Sequence, residues 1–186
     1  NQGVTNVNFT DTVDSNTTLL LGSINTSSGS SAGSSGNTVR VTGISIAGGG
    51  AFVTITFDVT VNSPLPAGTS NIANQGLTDP NDPNVPNDPT DDPNTPAEPN
   101  DPTDIPVVGS PNLNTTKGVT LLNDADGSGG ASPGDTLRYT VRITNSGNQG
   151  VTNVNFTDTV DSNTTLLLGS ISTSSGSSAG SSGNTV

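Results

Sequence analysis

The sequence predicts an all-β chain of antiparallel β-sandwich repeats joined by an extended Pro/Asp-rich linker, and three observations predict it. Apolar residues make up only 27 % of the 186, yet they gather in alternating runs separated by Gly, Ser, Asn and Pro, which favours ordered strands with long polar loops over disorder. No apolar stripe at i, i+3, i+4 occurs anywhere, and β-branched residues dominate every ordered-looking run. Finally, residues 1–39 recur at 148–186 with one difference, Asn25 against Ser172, so the chain carries a tandem repeat with a period of 147 residues.

Taken in order, residues 4–13 alternate around Val7, Phe9 and Asp11, which predicts a strand with one buried face. Residues 18–24 are a second, more apolar strand. Residues 25–37 are almost pure Ser, Gly and Thr and predict a long mobile loop, because they cannot bury enough surface to offset their ordering entropy. The runs at 38–47 and 51–61, separated by Gly48-Gly49-Gly50, predict a hairpin. A turn cluster at 62–68 leads into a last strand at 70–77.

Composition then shifts. Ten of the thirteen prolines and eight of the sixteen acids lie in residues 79–111, with prolines at 80, 83, 86, 89 and again at 93, 96, 99, 102. A period of three matches polyproline II. At about 3.1 Å per residue such a segment spans about 80–100 Å, a stiff spacer between beads. Beyond it, strands are expected at 113–122 and 136–144, the second with Leu137, Tyr139, Val141 and Ile143 inward. The expected organisation is therefore 1–78, the C-terminal part of one sandwich; 79–111, the spacer; and 112–186, the N-terminal part of the next. A complete unit pools residues from both sides of the spacer. The chain opens without Met, and the first copy runs on where the second stops, so a window of a longer repetitive polypeptide is expected.

Composition also removes whole classes of function. There is no Cys, His, Met or Trp, which excludes thiol nucleophiles, His-based triads and soft-metal sites, and no enzymatic role is expected. A formal charge of −12 disfavours nucleic acid, whose phosphates need a basic surface. It favours divalent cations instead. No apolar run is long enough for a membrane span.

Two constellations could carry chemistry. Asp124-Ala125-Asp126-Gly127-Ser128-Gly129, continued by Asp135, places oxygen ligands at loop positions 1, 3, 5 and 12 with Gly at 6, the spacing of an EF-hand calcium loop, here between strands rather than helices. Calcium is the expected ion. In the spacer, Asp88, Asp91 and Asp92, or Asp101 with Asp104, could clamp further ions and relieve self-repulsion.

The stretch Ser132-Pro133-Gly134-Asp135-Thr136-Leu137-Arg138-Tyr139-Thr140-Val141, with Thr144-Asn145-Ser146-Gly147-Asn148 and Val154-Asn155-Phe156-Thr157-Asp158-Thr159-Val160, resembles the repeat of prokaryotic surface proteins catalogued as domain of unknown function eleven. Residues 61–75 resemble that family's last hairpin. The resemblance covers the unit apart from the spacer and implies an immunoglobulin-like or prealbumin-like sandwich, strung in tandem on secreted or cell-wall proteins. Surface sandwiches of this general type join a first-strand Lys to a last-strand Asn by a spontaneous isopeptide bond assisted by a buried acid. That implies Lys117, the following unit's counterpart of Asn74, and Asp158, which is Asp11 in the earlier copy, as candidates. The expected function is structural: an extracellular filament or stalk whose beads meet head to tail, with separate chains completing one another by strand addition as a variant. The alternative is an adhesin in which these repeats are the passive stalk.

Overall fold

The fold, taken from a computed structural model, is described for residues 2–186. Ten strands account for its regular structure apart from a single 3-10 turn at Leu168–Ser170: β1 (Val4–Thr12), β2 (Thr17–Thr26), β3 (Thr38–Ile46), β4 (Ile55–Val61), β5 (Asn71–Asn74), β6 (Gly76–Asp79), β7 (Asp88–Pro89), β8 (Thr103–Pro106), β9 (Leu113–Asn123) and β10 (Thr136–Asn145). The all-β expectation stands. Every named strand pairing is antiparallel, in one sheet of order β3-β1-β6-β7 and three two-stranded sheets, β2-β4, β5-β8 and β9-β10. The chain divides into two compact units, residues 1–150 and residues 151–186.

In the first unit β1 is central, flanked by β3 and β6, so residues on its inner face meet neighbours from both sides. A core forms from Val7, Val13, Leu19, Val39, Val41 and Ile44, with Phe9, Ile24, Ile55 and Phe57 packed against it from the rim. Val39 and Val41 are wholly buried. These residues come from β1 and β3 on one side and β2 and β4 on the other, an arrangement consistent with a β-sandwich. Residues between Val7 and Phe57 thus supply this core, while the buried Leu65 pairs with Gln149 beyond the spacer. The far end of the β2-β4 sheet is open: Leu20, Leu21, Val59 and Val61 are exposed.

Three expectations need correction. The hairpin between residues 38–47 and 51–61 does not form; β3 pairs with β1 and β4 with β2, so residues 47–54 carry the chain from one sheet to the other. Alternation shows which face is buried, but it cannot choose the neighbour. The Ser/Gly tract is laid along β3 rather than left loose. Ser30 and Thr42 exchange backbone hydrogen bonds at 2.9 and 3.0 Å, the Arg40 N–H donates to Ser34 Oγ at 2.8 Å, and the Ser45 N–H donates to Ser28 Oγ at 3.0 Å. Serine hydroxyls here satisfy an edge that no strand covers.

Residues 79–111 do not form an isolated polyproline II rod. β7 pairs with β6, and β8 pairs with β5, which brings the segment back onto the first unit's strands. The reason lies in the Asp-Pro-Asn triplets. Asp79, Asp82 and Asp92 each accept a hydrogen bond from the backbone N–H two residues on, at 2.8, 2.9 and 2.8 Å, closing an Asx turn where an extended helix was expected. Asn81 and Asn100 adopt positive φ, 55° and 63°, which a polyproline II helix does not contain. Pro89 sits on the outermost strand, where the missing N–H costs no ladder bond.

The second unit repeats, at residues 151–186, all but one of the amino acids that build β1, β2 and their loop, yet it contains no strand. What survives is local. Asp161 holds Asn163 as Asp14 holds Asn16, at 2.8 and 2.7 Å. Asn184 bridges Leu166 and Thr164 as Asn37 bridges Leu19 and Thr17. Asn153 and Asn6 share a positive φ, 57° and 63°. A remnant of the β1-β3 pairing is kept as well, since Asp158 and Val186 exchange backbone hydrogen bonds at 3.3 and 2.9 Å, as the paired Asp11 and Val39 stand in the first copy.

Candidate functional site

Side-chain alternation along β1 sends Val7, Phe9, Asp11 and Val13 to the inner face, and so places a carboxyl group in the core. Asp11 is 4 % exposed. Asn74, the last residue of β5, donates its Nδ2 hydrogen to Asp11 Oδ2 at 2.7 Å. The remaining oxygens of the pair, Asp11 Oδ1 and Asn74 Oδ1, are buried without a hydrogen-bond partner, as is Asn71 Oδ1. Burial pushes the Asp11 carboxyl above its ordinary value, and the Asn74 amide pulls partly the other way. An unpaired buried acceptor costs about 1–3 kcal/mol. The site is therefore short of hydrogen-bond donors.

Asp14, at the end of the same strand segment, behaves oppositely. Its Oδ1 accepts the Asn16 backbone N–H at 2.7 Å and the Asn16 side chain at 3.0 Å, while Oδ2 accepts the Ala73 N–H at 3.2 Å. Those bonds hold its carboxyl below the usual range, the Asn16 backbone N–H most of all.

The second candidate is the β9-β10 loop. One carboxylate oxygen from each of Asp124, Asp126 and Asp135 lies within 4.8 Å of the others, the grouping expected from the EF-hand-like spacing. The loop is organised from within. Asp124 accepts N–H groups of Gly127, Ser128 and Gly129 at 2.7, 3.1 and 2.8 Å, and Asp126 accepts the Ser128 N–H at 3.0 Å. Asp135 accepts the N–H groups of Ala125 and Ser132, both at 2.8 Å. Such bonds favour the ionised form: Asp126 is lowered chiefly by Ser128, and Asp135 by the Ala125 and Ser132 N–H groups. Gly129 has φ 76°, the turn the sixth position demands. Ser128 Oγ donates to the Gly130 carbonyl and retains lone pairs for a cation. The residue types suit a hard cation with oxygen ligands.

Among the described residues the spacer carboxylates Asp88, Asp91, Asp92, Asp101 and Asp104 do not bring three ligand oxygens together as the β9-β10 loop does. Four of them act as hydrogen-bond acceptors, and Asp101 also takes the Asp92 N–H at 3.3 Å. Asp91 takes the Asn100 N–H at 2.8 Å, Asp92 holds Asn94, Asp101 takes the Thr95 hydroxyl at 2.6 Å, and Asp104 takes the Asn71 side chain at 2.6 Å. Asp88 pairs through its backbone with Thr78. Gln75, which the sequence did not single out, ties the segment down by donating to the Thr90 and Asn100 carbonyls at 3.0 and 2.6 Å. No local pattern marks that role, because both partners are remote in sequence.

Of the four residues considered for an isopeptide bond, Asp11 and Asn74 are brought together. Lys117 lies on β9 with its Nζ 4.7 Å from the centroid of the Tyr139 ring, a cation–π distance, and Asp158 belongs to the second unit. No helix of the described residues is long and apolar enough to cross a membrane. Comparison with models of protein families, with curated proteins and with solved structures finds no match.

Proposed function

We propose that this chain is a structural repeat of an extracellular filament or cell-surface stalk, in which strands from one copy of the unit complete the sandwich of the next. One observation carries the reading: residues 1–39 recur at 148–186 with a single difference, so successive units present nearly the same surfaces to one another. In the first copy the strands that pair with this stretch lie in residues 38–79. Near-identity of copies allows one contact to recur indefinitely, which gives an open fibre rather than a closed oligomer. The resemblance to tandem surface-protein repeats supports the same architecture and location.

Calcium at Asp124, Asp126, Ser128 and Asp135 stiffens the β9-β10 loop in this reading. Imaging of the purified chain with and without a chelator tests it. Regular fibres with one density per repeat, loosened by the chelator, are expected. Isolated flexible rods under both conditions would refute assembly and favour a passive stalk for an adhesin.

A further inference from the structure

The two ends of β4 expose apolar surface in complementary forms, a knob and a groove. Of the chain's four phenylalanines, Phe9 and Phe57 pack against the core, whereas Phe52 is 84 % exposed. It stands in the crossing from β3 to β4, just after Gly49 and Gly50, whose φ of 83° and 89° glycine alone adopts readily. From there β4 runs about 20 Å to Val61. At that far end Val61, Leu65, Ile105, Val107 and Val108 line a groove of about 440 Å³, with Asn148 beside them. Leu65 is buried, and Val108 is 91 % exposed. The groove is large enough for a phenyl ring, but the chain's own Phe52 lies at the opposite end of the strand.

Charge and sequence order point to the occupant. With a formal charge of −12, two copies of the chain repel one another over most of their surface. Residues 41–57 around the knob, and residues 59–78 and 105–116 around the groove, carry no charged side chain. Two copies can therefore meet at these faces without opposing like charges. The knob lies at the end of the unit where β1 begins, since Val4 pairs with Ile46 just before the crossing. In sequence, the second copy of the repeat opens at Asn148, a residue of the groove, so each groove is followed by the stretch that corresponds to the start of β1.

We propose that Phe52 of one copy of this chain seats in the groove of Val61, Leu65 and Val108 of a second copy, a head-to-tail contact between opposite ends of the unit. The inference rests on the filament reading above and names the contact that builds it. Knob and groove are different surfaces, so the contact is heterologous and leaves one of each free at the ends of any array. A single aromatic anchor buries about 150–250 Å², against about 1,600 Å² for a stable complex of separate proteins. Separate chains therefore pair weakly, and the contact strengthens where covalent linkage of units raises the effective concentration.

The test is sedimentation velocity on the 186-residue chain across a range of concentrations. Species that lengthen with concentration are expected. Phe52→Ala and Val108→Asp each raise the concentration of half-association at least about thirtyfold, the loss of a central aromatic anchor. Their unfolding midpoints stay in place, because both side chains are exposed. Mixing F52A, which keeps the groove, with V108D, which keeps the knob, gives one-to-one pairs and nothing longer. The chain has no Trp, so Phe52→Trp adds a single reporter. Its emission shifts to the blue on association, stays at the solvent value when V108D is added to the same chain, and shifts again when F52A is mixed in. Wild-type chains that stay monomeric at every concentration, variants that associate as the wild type does, or F52A–V108D mixtures that fail to pair or grow beyond pairs overturn the proposal. Imaging separates it from the reading it rests on: fibres from F52A as regular as those of the wild type refute this contact alone, and F52A–V108D pairs without wild-type fibres refute the filament alone.

Discussion

One valine, substituted at two equivalent places, measures how far partner strands rather than local sequence hold this fold together. Val7 lies in the core at 4 % exposure, and its counterpart 147 residues on, Val154, is 43 % exposed in an identical local sequence. Val→Ala removes two carbons. At about 0.8 kcal/mol per buried methylene, the transfer loss at Val7 is about 1.6 kcal/mol. A site in a central strand, closed on both sides, relaxes poorly, and the residual cavity brings the total to about 2–3 kcal/mol. At Val154 little apolar area is withdrawn from water, so Val154→Ala changes stability by less than about 0.5 kcal/mol. The assay is urea unfolding of dilute protein followed by far-ultraviolet circular dichroism, with the midpoint and slope read separately because the chain has two units. V7A lowers the midpoint while V154A leaves it in place. Equal shifts from both would show the second copy packed like the first, and the argument from missing partners would fail. Under the proposed assembly, which would bury Val154, the same pair measured at high concentration should converge.

Gly76→Ala puts a Cβ 2.5 Å from Phe9 Cζ and Cε2 and costs about 1–3 kcal/mol by urea unfolding, whereas Gly118→Ala, with nothing within 4 Å, is neutral. Acid titration followed by circular dichroism should reveal two opposed carboxylates. Asp11 is raised in the native state, so its contribution is full below the ordinary aspartate value of 3.8 and is lost as pH rises through the higher native value; D11N removes that decline. Asp14 is lowered, so its contribution is present above 3.8 and is lost as pH falls through the native value; D14N removes part of the acid-side loss. Calcium titration by calorimetry should give a dissociation constant of about 10⁻⁴–10⁻³ M, as in extracellular modules. D124N, D126N or D135N weakens it at least about tenfold while D88N leaves it unchanged, and equal effects from all four would sink the loop assignment.

Much of the strand content was legible in the sequence because it depends on period alone. The runs at 38–47, 113–122 and 136–144 became β3, β9 and β10 within two residues at each end, and the alternation through Val7, Phe9 and Asp11 put the acid in the core before any coordinates. Pairing was not legible. Nothing in residues 38–61 says that β3 will choose β1 and β4 will choose β2, and the glycines between them suit a crossing as well as a hairpin. The spacer misled for a related reason: a three-residue proline period fits polyproline II, but Asp-Pro-Asn also fits an Asx turn, and the hydrogen bond to the following Asn N–H decides. In the candidate sites, the Asp124–Asp135 loop was readable because all its ligands lie in twelve consecutive residues. The Asp11–Asn74 contact joins positions 63 apart, and only the family resemblance suggested it.

The serine-rich tract laid along β3 limits how such a chain can stick to its own kind. Bare sheet margins recruit foreign strands and lead to clumping, and with Ser30 and Ser28 occupying Thr42 and Ser45 this flank is already sealed. In the proposed filament this would confine growth to the ends, so that a thread of such beads lengthens without thickening into a mat.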